Sequence, residues 1–296
     1  MRALSNLAKF FIICAAVFFV GLVCAIAGAA GGGVGGIDKL AEKHDWIQGS
    51  PGEKCVTCRT VREFHSIEAT GDGDLWIVGK DFYKNDRWLA DHDLQEQIGQ
   101  DLIGPGSVCV IRGENVEQPE ITVKNGVLTI NAGQHDFSGI SFDASGASWP
   151  KVIVCVPDGV LQSLTVSGQS GDISCLGCAW DSAKIQMNSG DVDMEGVKSG
   201  GLVIDLDSGD AEIQGKFMAG TQIQTTSGDV EIDTVLPKTE YALELRAEAG
   251  DITIKERGKE DREYDDVPAA VTESGGPHRI AVMTSAGDQE VSFQAD

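Results

Sequence analysis

From Leu161 to the end of the chain, apolar and polar residues alternate in short runs, and a recurring phrase, Ser-Gly-Asp, punctuates them. It stands at Ser170-Gly171-Asp172, Ser189-Gly190-Asp191, Ser208-Gly209-Asp210 and Ser227-Gly228-Asp229. It returns with alanine in first place at Ala249-Gly250-Asp251 and Ala286-Gly287-Asp288. The first four glycines are 19 residues apart; the next steps are 22 and 37, the last close to two periods. Five residues before the glycines lie Val166, Ile185, Ile204, Ile223, Leu245 and Val282. Two after them lie Ile173, Val192, Ala211, Val230, Ile252 and Gln289; four after them lie Cys175, Met194, Ile213, Ile232, Ile254 and Val291. Alternation on both sides of a turn predicts two short strands per repeat, with every second residue facing inward. A fixed period near 20 predicts that the repeats stack and bury these columns as one continuous core. Glycine supplies the turn with a positive φ, and aspartate closes it through its side chain. The expected fold is all-β: a single-stranded parallel β-solenoid, or β-helix, each rung adding ~4.8 Å. An antiparallel meander, with each repeat a hairpin, is the alternative.

The same pattern is weaker upstream. His65 to Val78 predicts strands around the turn Thr70-Gly71-Asp72-Gly73-Asp74, with Leu75 and Ile77 two and four residues after Gly73, as in the later repeats. Asp81 to Leu102 breaks the alternation and predicts a helical or looped excursion, closed by Pro105-Gly106. Strand pattern returns at Ile121-Thr122-Val123-Lys124-Asn125-Gly126-Val127-Leu128-Thr129-Ile130, where Asn-Gly is a tight-turn signal. Lys151 to Val156 predicts a buried strand stopped by Pro157-Asp158-Gly159. Residues 61–160 therefore form irregular rungs and residues 161–293 regular ones, within one domain, 61–296. Residues 255–278 carry Lys259-Glu260-Asp261-Arg262-Glu263 and two prolines; they form an inserted loop or a degenerate rung.

The other end of the chain carries a long apolar run. Phe10 to Ile37 contains no charged residue, and its core is long enough to cross a bilayer as a helix. The expectation is a cytoplasmic tail at 1–9, a transmembrane signal anchor at 10–30, and a glycine-rich exit and stalk at 31–60. A cleaved signal peptide, with small residues at Ala25-Ile26-Ala27, is the alternative. Arg2 and Lys9 before the span are matched by Lys39 and Lys43 after it, so basic residues set the orientation weakly. The expected location is the cell membrane, single-pass, with the bulk of the chain extracytoplasmic.

Charge narrows the partners. The chain carries a net charge of −23, which disfavours nucleic acid and anionic headgroups and promotes solubility.

Together, the apolar N-terminus, Asn125-Gly126-Val127-Leu128-Thr129-Ile130, Val156-Pro157-Asp158-Gly159 and the repeated Ser-Gly-Asp resemble the bacterial "putative adhesin" family. These are repeat-built, often membrane-anchored domains, and some members are similar to accessory proteins of Lia-type or phage-shock-like envelope-stress systems. The resemblance covers residues 65 to 293. It implies a β-solenoid at the cell envelope and no enzymatic residues, so no site residue is carried over. The excursion at 81–102 and the acidic segment at 255–278 depart from the simplest family pattern.

Candidate chemistry is sparse. Cys55-Val56-Thr57-Cys58 and Cys175-Leu176-Gly177-Cys178 have the spacing of thiolate zinc ligands, but the pairs lie far apart in sequence. Cys175 falls in an inward column and reads as a small hydrophobe. Cys55 and Cys58 are the better redox or metal candidates, and disulfide, free thiol and metal states all stay open. The aspartates of the repeats would stack into a row that attracts calcium, yet their turn role already explains them. The histidines (His44, His65, His92, His135, His278) show no metal-binding spacing. No catalytic, metal or cofactor residue is assigned, and no cofactor is expected. The expected function is non-catalytic: a membrane-anchored envelope protein displaying an adhesin-like repeat surface to an envelope protein, cell-surface protein or glycan. The alternatives are an accessory sensor of an envelope-stress system and a carbohydrate-active β-helix enzyme.

Overall fold

The alternating columns become strands that pair in register with their counterparts in neighbouring repeats. The structure is a computed structural model that describes residues 55–61, 63–83, 103–113, 116–133 and 150–294. The chain divides into Met1–Pro51 and Gly52–Asp296. The expected tail at 1–9, membrane helix at 10–30 and exit at 31–54 lie outside the described residues, as does 84–102 of the excursion. Among the described residues no helix is long and apolar enough to cross a membrane.

The described residues are all-β. The first strands are β1 (Cys55–Thr60), β2 (Ser66–Thr70) and β3 (Asp74–Val78), followed by the short helix α1 (Lys80–Tyr83). Next come β4 (Ser107–Arg112), β5 (Glu120–Lys124), β6 (Val127–Asn131) and β7 (Lys151–Cys155). Asn125 and Gly126 link β5 to β6 with φ of 52° and 77°, the paired positive values of a type I′ hairpin turn. The regular rungs are β8 (Val160–Ser170) with β9 (Ile173–Leu176), β10 (Ala179–Ser189) with β11 (Val192–Ser199), β12 (Leu202–Ser208) with β13 (Ala211–Phe217), and β14 (Gly220–Ser227) with β15 (Val230–Pro237). The chain closes with β16 (Tyr241–Ala247), β17 (Ile252–Glu256), β18 (Arg262–Tyr264), β19 (Ala269–Glu273), β20 (His278–Ala286) and β21 (Gln289–Gln294).

Each rung sends one strand to each of two faces. The first face runs β5-β6-β2-β8-β10-β12-β14-β20-β16-β19, and the second runs β1-β4-β7-β3-β9-β11-β13-β15-β21-β17-β18. Pairing is parallel through the stack, which excludes the meander: Val166, Ile185, Ile204, Ile223, Val282 and Leu245 lie side by side in one row. Antiparallel strands close both ends: β5 on β6 and β1 on β4 at one, β19 on β16 and β18 on β17 at the other. Residues 255–278 thus include the two strands that finish the stack.

Spatial order departs from sequence order twice. The rung of β2 and β3 lies between that of β6 and β7 and that of β8 and β9. The last rung of the chain, β20 and β21, lies between β14–β15 and β16–β17. The inward columns are buried throughout, with Ile185, Ile223, Leu245, Val282, Ile213, Ile232 and Ile254 at 0% exposure. Burying such side chains yields about 1.5–3 kcal/mol each, so the columns dominate stability.

The turn glycine is required on two counts. At Gly209 φ is +131°, a conformation that residues with a Cβ rarely adopt, and a Cβ there would sit 2.1 Å from the carbonyl oxygen of Gly190.

Candidate functional site

The Ser-Gly-Asp turns line up along one edge of the stack and build a hydrogen-bonded ladder. The backbone amide of Asp191 donates to Oδ1 of Asp172 at 3.1 Å, Asp210 to Asp191 at 2.9 Å, and Asp229 to Asp210 at 2.7 Å. The ladder starts at Asp74, whose Oδ1 accepts from Asp172 at 3.2 Å. It ends through Asp288 on Asp229 at 2.8 Å and Asp251 on Asp288 at 2.9 Å. Each of these carboxylates therefore holds the next rung. Burial pushes the Asp74 carboxyl above its usual range, against the amide of Asp172 and Lys151, which hold it down. Among the described residues no three His, Cys, Asp or Glu side chains form a group arranged to hold a metal ion.

The outer side of the second face changes character along its length. Near β7 it is apolar, with Ile153, Cys155, Val78 and Leu176 buried in a second cluster beside Trp76 and Phe82. Farther along it is acidic: Asp193, Glu212, Glu231 and Glu290 are register neighbours on successive strands. Burial, then the neighbouring Glu290 and Glu212, push the Glu231 carboxyl up. Lys255 pairs with Glu290 at 2.5 Å. Asp229, Glu231, Asp251, Glu263, Asp265 and Glu290 border an open hollow of about 410 Å³.

The last rung is tied down by ion pairs. Glu273 of β19 meets Lys238, and Arg262 of β18 at 2.5 Å; Arg262 also reaches Glu256 at 3.3 Å. Partial burial would raise the Glu273 carboxyl, but Lys238 and Arg262 hold it below the usual value.

The cysteines separate by strand geometry. Cys58 of β1 faces Cys109 of β4 directly, and the two form a disulfide with Cα atoms 4.1 Å apart. Cys55 is three residues from Cys58 in the same strand, so the two point to opposite faces, roughly 10 Å apart, and the Cys-x-x-Cys motif does not close on itself. Sequence spacing gave no sign of Cys109 as the partner; the antiparallel pairing of β1 and β4 supplies it. Cys175 and Cys178 are buried and not disulfide-bonded. Burial lifts the Cys175 thiol well above its usual value and that of Cys178, with Cys155 nearby, to about 12. Among the histidines, His44, His92 and His135 lie outside the described residues; His65 packs over Gly126, and His278 stands 5.7 Å from the Tyr241 ring.

The profile of the Toastrack DUF4097 family matches residues 107–262, just over half of the chain. None of the curated proteins matches the chain. Among solved structures, the chain is similar to a "putative cell adhesion protein" from Clostridium sporogenes, at 12% identity over 82% of this chain and 100% of that one, with a TM-score of 0.42. It is similar to a "putative adhesin" from Bacteroides fragilis at 13% identity, over 81% and 97% of the two chains, with a TM-score of 0.36. A "putative lipid binding protein" from Parabacteroides distasonis is 11% identical over 81% and 97%, with a TM-score of 0.27.

Proposed function

Because the chain belongs to the Toastrack DUF4097 family, we propose that it is a non-catalytic, adhesin-like envelope protein whose β-solenoid displays a binding surface. The observation that carries this reading is the aspartate ladder. The repeat's most prominent acidic residue is engaged in rung-to-rung hydrogen bonding, which leaves the regular outer faces as the feature a partner would meet. In this reading the apolar segment at 10–30 anchors the chain in the cell membrane, and the solenoid lies outside the cytoplasm. The Cys58–Cys109 disulfide favours that side, since such bonds persist in oxidising compartments. The partner class is an envelope or cell-surface protein or a glycan.

The test is topological. Intact cells are exposed to a membrane-impermeant protease while the C-terminal region is followed, with lysed cells as control. Cleavage in intact cells is expected. Protection until lysis would place the solenoid inside and overturn the display reading.

A further inference from the structure

The stack has open ends, and its outermost strands differ in how they are protected. An unpaired strand edge offers a row of amides and carbonyls to any extended chain, and proteins normally blunt such edges with charge, proline, brevity or a covering segment. Three of the four outermost described strands are blunted in this way. β18 is three residues long and carries Arg262 and Glu263; β5 has Glu120 and Lys124 at its two ends; β1 carries Arg59 and is stapled by the Cys58–Cys109 disulfide.

β19 is the exception. Its sequence is Ala-Ala-Val-Thr-Glu, and its single charge, Glu273, is engaged by Lys238 and Arg262. One edge of β19 pairs antiparallel with β16, from Leu243↔Glu273 to Ala247↔Ala269. Among the described residues its other edge meets no backbone partner. Ala269 and Val271 turn into the core, whereas the side chains of Ala270 and Thr272 are exposed. Pro268 lacks an amide, but it precedes the strand and leaves the amides of β19 intact.

The surroundings suit a particular visitor. A groove of about 570 Å³ runs over the outer side of the first face to this edge, past Gln224, Met283, Arg246 and Ala270. Ala270 is small, Met283 is half-buried, and Val267 just before the strand is 65% exposed, so an apolar side chain has a place to lie. Arg246, the cation of the groove, pairs with Glu244 at 3.0 Å. Glu248 lies at the groove, and Asp265 and Asp266 lie in the segment that joins β18 to β19. This end of the molecule thus combines an unblunted edge, an apolar hollow and acidic flanks.

We propose that the outer edge of β19 is a strand-addition site for a basic, extended segment of another protein. Main-chain bonds to the edge would supply binding, an apolar side chain beside Ala270 would supply register, and Lys or Arg on the visiting segment would meet the acidic flanks. The site goes beyond the display reading and would exist on either side of a membrane, so its test is independent of the protease result.

The experiment uses the purified full-length chain and a short synthetic peptide in which Lys alternates with Val, with a Glu-for-Lys peptide as control. Saturable binding of the basic peptide alone is expected, with amide-exchange protection at Ala269–Glu273. The double variant Ala270→Lys, Thr272→Lys changes two exposed side chains and puts gatekeeper charges on the edge; it should weaken binding about tenfold or more while far-UV circular dichroism stays unchanged. A second variant, Glu248→Lys with Asp266→Lys, touches neither the strand nor the lining of the acidic hollow and should reduce both the affinity and its salt dependence. Absence of binding, equal binding of both peptides, or protection at the acidic hollow instead of β19 would overturn the proposal. So would self-association of the chain that the Ala270→Lys, Thr272→Lys variant abolishes, since the edge would then belong to a second copy.

Discussion

The backbone amide of Asp288 donates to the carboxylate of Asp229 across 2.8 Å, although the two lie 59 residues apart. The next link returns to an earlier part of the chain, from Asp251 to Asp288 at 2.9 Å. The ladder therefore runs through the rungs in their spatial order, and it marks where the last rung of the sequence enters the stack.

Removing one carboxylate from the ladder should cost a measurable but modest amount. Asp229→Ala leaves the Asp288 amide to water at an exposed turn, an expected loss of about 0.5–1.5 kcal/mol. Asp229→Asn keeps an oxygen acceptor and should lose less than half of that. Urea unfolding of the two variants checks the order; equal losses would show that charge, not acceptance, is what the position contributes.

The turn glycines should be far less tolerant than a glycine in open space such as Gly220. Gly209→Ala combines φ of +131° with a Cβ 2.1 Å from the Gly190 oxygen, and is expected to destabilise by about 2–4 kcal/mol. At Gly220 nothing lies within 4 Å of the added Cβ, so Gly220→Ala should stay within about 0.5 kcal/mol of the unmodified chain. Denaturation midpoints decide between them.

The alternating columns made strands, turns and parallel register legible, because each column is a statement about which side chains face inward. Val166, Ile185, Ile204 and Ile223 read as one row and form one row. The order of the rungs was not legible, for a reason that follows from the same repetition. Val282 and Leu245 satisfy the column equally well, so periodicity alone does not say which of them lies next to Ile223. Gln289 was the visible irregularity. It is buried at 1% exposure in the inserted rung, and its amide donates to the Arg246 carbonyl at 2.6 Å and to Thr284 Oγ1 at 3.0 Å, bonds that a polar residue needs at that depth. Candidate chemistry was legible only in part. Cys175 was readable as a core residue, whereas the Cys58 partner depended on a long-range strand pairing without a local signature. The β19 edge had no signature either, because an unpaired edge is defined by what the other strands do.

Since the last rung is an inner layer of the stack, its removal should do more than shorten the molecule. Ending the chain after Pro277 deletes β20 and β21 and separates β14–β15 from β16–β17, exposing the apolar columns on both sides. Loss of amide-exchange protection is expected through β14–β17 as well as at the cut, with protection kept in β8–β11. Protection retained in β16 and β17 would show that the closing strands dock directly onto β14 and β15.

The buried thiols should stay silent until the fold opens. Cys178, raised to about 12, keeps its proton in the folded chain, so it favours folding at neutral pH and loses that contribution as pH climbs from the usual thiol value of 9.0 toward 12. Cys155 and Cys175 shift in the same direction, also by burial. A thiol reagent at neutral pH should label none of the three natively and all three in denaturant. Native labelling at Cys178 would mean that the corner around Leu176 and Ile77 opens on its own.

Acid should loosen the closing strands first. Glu273 is held below the usual 4.5 because its ionised form accepts from Lys238 and Arg262, overcoming the desolvation that acts the other way. A carboxyl depressed in the folded state contributes its full stabilisation above the usual value and loses it as pH falls through the folded value. Its partners are partly exposed, so the contribution is on the order of 1 kcal/mol or less after solvent screening. Amide-exchange protection in β18 and β19, corrected for the intrinsic pH dependence of exchange, should therefore fall below about pH 4.5, ahead of β10–β13 at the middle of the stack. Glu273→Gln removes the titrating group, so its closing strands should be looser at neutral pH and should lose most of this acid response. An unchanged acid response in Glu273→Gln would assign the loosening to another carboxylate of the same end, with Glu256, the other partner of Arg262, as the next to substitute.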